Sequence, residues 1–128
     1  TISTTGDATD FGDLTGVANG LNGGTGDYTR SICRFGGAPG ITNVIEYVTY
    51  SSTGNAADFG DLIRNTSEGN AYGNQVKGFC AGGGTPGVID DIDVLTIQTL
   101  GNTVKFGDLT AAKSSPTGAS DSHGGLQA

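Results

Sequence analysis

The chain has 128 residues, a formal net charge of −7 and 24 glycines, and 34% of its residues are hydrophobic. A helical bundle is excluded, because each Gly in a helix interior costs about 1 kcal/mol relative to Ala. The acidic balance argues against nucleic-acid binding, which needs a basic surface, and no apolar run reaches the roughly 18 residues of a membrane span. Recurring aromatic and β-branched clusters instead favour an all-β fold with many tight turns.

The first predicted element is a nine-residue motif that occurs three times: GDATDFGDL at 6–14, GNAADFGDL at 54–62 and GNTVKFGDL at 101–109. Its aromatic residues lie 48 and 47 residues apart and are Phe11, Phe59 and Phe106. Its last acidic residue recurs in the same phase, as Asp13, Asp61 and Asp108. A fixed period of this length is typical of a repeat protein. We expect each copy to contribute a short strand, with the recurring Asp at a turn or cap that every unit needs.

The second element is a short apolar strand that ends in a glycine run. It reads ICRFGGAPG at 32–40 and FCAGGGTPG at 79–87. The glycines of the two runs are Gly36 and Gly37, then Gly82 and Gly83. Gly within a strand often marks a place where another backbone approaches closely. We expect these runs to be such contact points.

The third element is an apolar strand, VIEYVTY at 44–50 and DIDVLTI at 91–97. Apolar residues occupy both alternating faces of its first copy, which suits a strand packed between neighbouring sheets. All three elements keep one register along the chain. We therefore predict a single repeat domain over residues 1–128, with units at 1–48 and 49–95 and a partial third unit at 96–128.

These motifs bring the chain close to a known family. Glycine pairs after a short apolar strand, followed by spaced aromatic positions, resemble a kelch-type repeat. The run NVIEYVTYSSTGNAADFGDL at 43–62 resembles the divergent kelch-like repeats of virion structural proteins from tailed phages, especially cyanophages. The chain departs from ordinary kelch in having Phe where Trp is usual, and in a glycine pair at 124–125 that sits earlier in phase. The resemblance implies β-propeller blades and a location in a virion or outside the cell.

The number of units raises the question of closure. A propeller needs about four or more blades, and this sequence holds two units and part of a third. Either further chain supplies the missing blades, or copies associate so that a strand of one completes the sheet of another. Such association closes as a ring or continues as a filament. The expected partners are other copies of the chain or other virion proteins.

Acidic residues are the first candidates for a site. Asp7, Asp10 and Asp13 recur at a spacing of three, and clustered carboxylates can bind Ca²⁺. Asp in glycine-rich turns more commonly bonds to its own backbone. We therefore predict a structural role for these residues and no metal or other cofactor, and keep a calcium site as the alternative.

No catalytic constellation is recognisable. Cys33 and Cys80 occupy one phase of the repeat, and we expect buried free thiols rather than a disulfide. His123 is the only histidine, so a multi-histidine metal site or the copper set of a propeller oxidase cannot be assembled from this sequence. We predict that the chain is not an enzyme.

Two tyrosines in polar segments carry the alternative function. Tyr28 and Tyr72 lie in polar loops rich in Asn and Asp, a mixture that binds sugars and protein surfaces. The sequence therefore predicts a structural component of an extracellular assembly, such as a phage tail fibre or decoration protein. A carbohydrate-binding or receptor-binding module that recognises a surface glycan is the alternative, and a filament-forming microbial protein is a third hypothesis.

Overall fold

The computed structural model describes residues 4–19, 23–37, 40–84 and 86–120. These residues form eight β-strands and no helix, which confirms the all-β prediction. The strands are β1 (Thr25–Gly26), β2 (Arg30–Gly37), β3 (Thr42–Thr49), β4 (Ala57–Thr66), β5 (Asn70–Gly73), β6 (Lys77–Ala81), β7 (Asp91–Thr96) and β8 (Val104–Asp108). Within the described residues, no helix capable of crossing a membrane is found.

The strands make two antiparallel sheets of four strands each. Sheet 1 has the order β1-β2-β3-β4 and sheet 2 the order β5-β6-β7-β8, so strands that follow one another within a sheet are hydrogen-bonded neighbours. The first connection of each sheet, residues 27–29 and residues 74–76, spans three residues, as expected for an antiparallel hairpin.

The two sheets have the same pairing register, shifted by 47 residues. Val44 pairs with Asp61 in sheet 1, and Asp91 pairs with Asp108 in sheet 2. Each β3–β4 or β7–β8 ladder then contains a β-bulge at the phenylalanine of the nine-residue motif. A bulge leaves one residue unpaired and bends the strand. The repeat in the sequence is therefore also a repeat in hydrogen bonding.

The first hairpin of each sheet is closed by equivalent side chains. Asp27 Oδ1 accepts hydrogen bonds from the backbone N–H groups of Thr29 at 2.7 Å and Arg30 at 3.0 Å. Asn74, 47 residues later, accepts equivalent bonds from residues 76 and 77, both at 2.8 Å. Burial alone would raise the pKa of Asp27, but its hydrogen bonds, including one from Gln98, outweigh burial and lower it.

The core lies where the two sheets meet. Strand β1 contacts β5 and β6, and β4 contacts β8. The buried apolar cluster draws from both sheets and consists of Ile32, Ile45, Phe59, Leu62, Ala71, Cys80, Leu95 and Ile97. Burial of such side chains stabilises a fold by about 1.5–3 kcal/mol each. Each sheet therefore depends on its neighbour for part of its stability.

The glycine runs lie at close backbone approaches. Gly36 has φ 72° and Gly83 has φ 103°. A Cβ at Gly36 would lie 2.8 Å from the carbonyl oxygen of Thr42, and one at Gly83 would lie 2.6 Å from that of Ser67. Both the positive φ and the neighbouring backbone exclude a larger side chain at these positions.

Candidate assembly site

The nine-residue motif joins one repeat to the next. At the first junction, which we define as residues 11–13 with residues 54–56, the Phe11 carbonyl accepts a hydrogen bond from Gly54 N at 2.8 Å. The Asp13 carbonyl accepts one from Ala56 N, also at 2.8 Å. Asn55 Oδ1 accepts a third bond, from Asp13 N at 3.0 Å. The motif of one unit thus pairs with the beginning of the motif in the next unit.

The second junction, residues 59–61 with residues 101–103, repeats this geometry. The Phe59 carbonyl accepts from Gly101 N at 2.8 Å, and the Asp61 carbonyl accepts from Thr103 N at 2.9 Å. Asn102 Oδ1 accepts from Asp61 N at 3.0 Å. Two junctions with matching donors and acceptors show that the contact between units is a repeated structural feature.

Glycine at the centre of the motif allows this contact. Gly12 and Gly60 have φ values of 151° and 145°, a region that favours glycine. A Cβ at Gly12 would overlap the carbonyl of Gly54, and a Cβ at Gly60 would lie 2.5 Å from the carbonyl carbon of Gly101. Because these neighbours are backbone atoms, a rotamer change cannot remove the overlap.

Aspartate before the phenylalanine fixes the same turn in both junctions. Asp10 Oδ1 accepts a hydrogen bond from Gly12 N at 3.1 Å, and Asp58 Oδ1 accepts one from Gly60 N at 3.1 Å. Such bonds between a side chain and the backbone two residues on are the usual role of Asp in turns. Asp10 has this backbone-bonding role in the structure.

The third copy of the motif is open. Phe106 is 64% exposed and Phe11 38%, whereas Phe59 in the same phase is only 2% exposed and belongs to the core cluster that both sheets share. A Cβ built on Gly107 meets no atom within 4 Å. We call the surface formed by Val104, Phe106, Gly107 and Asp108 the open face. It presents the elements of a junction without the second partner.

An aromatic stack continues behind the open face. The ring of Phe79 packs edge-on against Phe106, with centroids 5.1 Å apart, and Tyr72 stacks on Phe79 at 5.5 Å. A Cβ on Gly118 would lie 2.5 Å from Tyr72 Cδ1, so residue 118 also packs tightly against this ring. Tyr72, a candidate ligand-binding residue from the sequence, therefore lies in strand β5 rather than in a loop, and its ring contacts Phe79 and residue 118.

Tyr28 lies elsewhere. It is 76% exposed and lines a shallow cleft with Tyr50, which is 50% exposed, and with Thr29, Thr49 and Ser51. The clefts that include Tyr72 contain none of these residues. The structure thus pairs Tyr28 with Tyr50 rather than with Tyr72, because the chain returns to the β1–β2 turn at the end of β3.

Two buried carboxylates, Glu46 in β3 and Asp93 in β7, occupy the same phase and accept hydrogen bonds from other segments of the chain. Glu46 accepts hydrogen bonds from the backbone N and the hydroxyl of Thr15. Asp93, 47 residues later, accepts bonds from Ile63 N and Thr103 Oγ1, both at 3.4 Å. Burial raises the pKa of Asp93. Glu46 was not among the sequence candidates, although an acidic residue in an apolar strand, repeated in phase, is a signal that could have identified it.

Three aspartates other than Asp7, Asp10 and Asp13 form an acidic cluster in the structure. Carboxylate oxygens of Asp90, Asp91 and Asp108 lie within 4.8 Å of one another. Lys105 Nζ lies 2.9 Å from Asp91 and 2.7 Å from Asp108, and Arg64 also pairs with Asp91. Hydrogen bonds and the charges of Asp108 and Asp91 raise the pKa of Lys105. Side-chain cations thus balance this cluster.

The two cysteines and His123 are the remaining candidate residues. Cys33 is half-buried and Cys80 buried, and neither is in a disulfide. Burial raises the pKa of the Cys33 thiol, and the Glu46 charge adds to this. A raised pKa keeps a thiol protonated and unreactive. His123 and the late glycine pair at 124–125 lie outside the described residues.

Comparison with known proteins adds no relative. No protein-family model matches the chain, and no curated protein shows significant similarity to it. The likeness to kelch-like phage repeats therefore depends on the sequence motifs alone.

Proposed function

We propose that the chain is a structural repeat protein of an extracellular assembly, such as a phage tail fibre or decoration protein, in which β-strands of one copy complete the repeat of another. The observation that carries this proposal is the open face. Its phenylalanine is exposed, whereas the equivalent phenylalanine one repeat earlier is buried in the core cluster that both sheets share.

The energetics favour covering this face. Burying a phenylalanine side chain contributes about 1.5–3 kcal/mol, and Val104 beside Phe106 is also exposed. Backbone groups at an uncovered strand edge promote pairing with another chain. A chain that already joins two units by the same contact has the surfaces needed to join further units.

A kelch-like propeller or an open filament are the two architectures consistent with this proposal. Which of them forms depends on the rotation between successive units, since a rotation that closes gives a ring. The repeated four-stranded meander supports blades of the kelch type. The proposal assigns the protein to a virion or the extracellular space and gives it no catalytic residue and no cofactor.

Measuring the mass and shape of the purified protein tests this function. Light scattering after size exclusion, across about 1–100 µM, should give masses that are multiples of the 12.8 kDa chain, and electron microscopy should show rings or filaments. Phe106→Ser should reduce assembly, while Val17→Ser, at an exposed apolar residue outside the motif, should not. A chain that stays monomeric throughout would overturn the proposal.

A second candidate function rests on the Tyr28 and Tyr50 cleft. Exposed aromatic rings beside hydroxyl groups are suited to binding a sugar, because the ring covers the apolar face and the hydroxyls bond to its edge. A glycan array tests this function. A hit that is lost in Tyr50→Ala and kept in Val17→Ala would support it, and an array without hits would contradict it.

A further inference from the structure

We infer that copies of this chain join head to tail through a third junction, in which the open face of one copy binds residues 6–8 of another. This inference rests on the proposed assembly function and names the surfaces that carry it. The second copy is the chosen partner because it holds the segment that matches the two internal junctions.

The donor segment is present and accessible. Residues 6–8 are Gly-Asp-Ala and occupy the phase of Gly-Asn-Ala at 54–56 and Gly-Asn-Thr at 101–103. All three residues of the segment are exposed, and among the described residues no backbone hydrogen bond from Gly6 or Ala8 is found. Gly6 has φ 157°, close to the 142° of Gly101 at the second junction. The segment therefore presents free donors in a similar conformation.

The acceptor side follows from the internal junctions. In each of them the carbonyls of Phe and Asp in the motif accept from the first and third residues of the partner segment. When the same hydrogen-bond pattern is applied to the third junction, Gly6 N donates to the Phe106 carbonyl and Ala8 N donates to the Asp108 carbonyl. Asp7 takes the role of the junction asparagines and accepts from Asp108 N.

Space for the second copy exists at the centre of the open face. Gly107 occupies the phase of Gly12 and Gly60, where the neighbouring segment lies against the glycine. Nothing in the chain lies within 4 Å of a Cβ built on Gly107. The position thus retains glycine although nothing within the described residues requires it.

Charge also distinguishes the third junction from the other two. The internal junctions place Asn55 and Asn102 beside the turns held by Asp10 and Asp58. The third junction replaces asparagine by Asp7 and the turn aspartate by Lys105. A lysine ammonium has three donors, and its bonds to Asp91 and Asp108 use two of them. The third is available to Asp7 of another copy.

Substitution of Gly107 tests this register. Gly107→Ala introduces a methyl group into empty space in the single chain and into the second copy at the third junction. We expect it to weaken association roughly tenfold or more in sedimentation equilibrium, with an unchanged unfolding midpoint at a concentration where the chain is monomeric. Gly87→Ala is the matched control, because its Cβ also meets nothing within 4 Å. Unchanged association of Gly107→Ala would overturn the inference.

Cross-linking identifies the residues directly. A carbodiimide joins a carboxylate to an amine in contact with it, and mixed isotope-labelled and unlabelled chains separate links between copies from links within one. An amide between Asp7 and Lys105 of different copies, absent in Asp7→Asn, is the expected product. If assemblies form without this link, the third junction is wrong while the assembly function stands. If the parent chain never associates, both are wrong.

Discussion

Replacing Gly60 by alanine should open the second junction and lower the free energy of unfolding. The second junction holds sheet 2 against the motif of sheet 1, and a Cβ on Gly60 would lie 2.5 Å from the carbonyl carbon of Gly101 and 3.0 Å from Asn102 N. Both contacts are to backbone, so the alanine methyl fits only if the junction opens. The glycine-favouring φ of 145° adds strain for any other residue.

The size of the loss can be worked out from the bonds at the junction. Two backbone hydrogen bonds and the bond from Asp61 N to Asn102 Oδ1 contribute about 1 kcal/mol each. The positive φ costs an alanine about 1–2 kcal/mol more. We therefore expect Gly60→Ala to lower the free energy of unfolding by about 4 kcal/mol, a large part of the 5–15 kcal/mol typical of a domain.

Urea unfolding at low protein concentration measures this loss. With a slope of about 2 kcal/mol per molar urea, the midpoint should fall by about 2 M. Gly101→Ala is the matched control, because Gly101 has a similar φ of 142° while a Cβ built on it meets no atom within 4 Å, so this variant should lose only the strain of about 1–2 kcal/mol. Equal midpoints for the two variants would refute the idea that the junction glycine is required by contact between units.

Three further predictions concern residues in equivalent positions. Phe59→Ala should cost about 3–5 kcal/mol of stability, whereas Phe106→Ala should leave the monomer's unfolding midpoint nearly unchanged, because only Phe59 is buried; equal losses in thermal unfolding would contradict this. Asp27→Ala and Asn74→Ala should each lose about 1–2 kcal/mol of hairpin stability. Although burial opposes it, hydrogen bonding lowers the pKa of Asp27, so its contribution is present above the unfolded pKa and lost as pH falls through the folded value. The Asp27→Ala loss should therefore shrink below about pH 4 and the Asn74→Ala loss should not, as urea titrations at several pH values can check. Burial raises the pKa of Asp93, so its contribution is fully present below the unfolded pKa and lost as pH rises through the folded value. Asp93→Asn should stabilise the protein by about 1 kcal/mol at pH 7 and not at pH 3, and the same gain at both would exclude titration as its cause.

The nine-residue motif shows how far the sequence determines the fold. Its recurrence predicts a strand in each of its three copies. The second and third copies do lie in β4 and β8, whose register repeats, whereas residues 6–14 of the first copy form no strand. The all-β class follows from glycine content and β-branched clusters. The motif alone could not distinguish the three phenylalanines, however, because Phe11 is 38%, Phe59 2% and Phe106 64% exposed, and these values depend on packing against residues distant in the sequence.

The sequence likewise did not predict which residues distant in the chain lie together. Tyr28 and Tyr72 both follow glycine-rich turns and look alike locally, yet one is exposed and the other packs on Phe79. The exposed partner of Tyr28 is Tyr50, which lies at the end of a different strand. Pairing of strands decides these contacts, and pairing across tens of residues has no local signal.

Because the two sheets have the same pairing register, shifted by 47 residues, the chain can be regarded as a row of units of that length. In an array whose units touch only their neighbours, stability is the sum of unit terms and junction terms. Insertion of one more block of 47 residues between the sheets would add one sheet and one junction and leave the two outer surfaces unchanged. Gene duplication can therefore lengthen such an array one unit at a time, and each added unit brings its own junction.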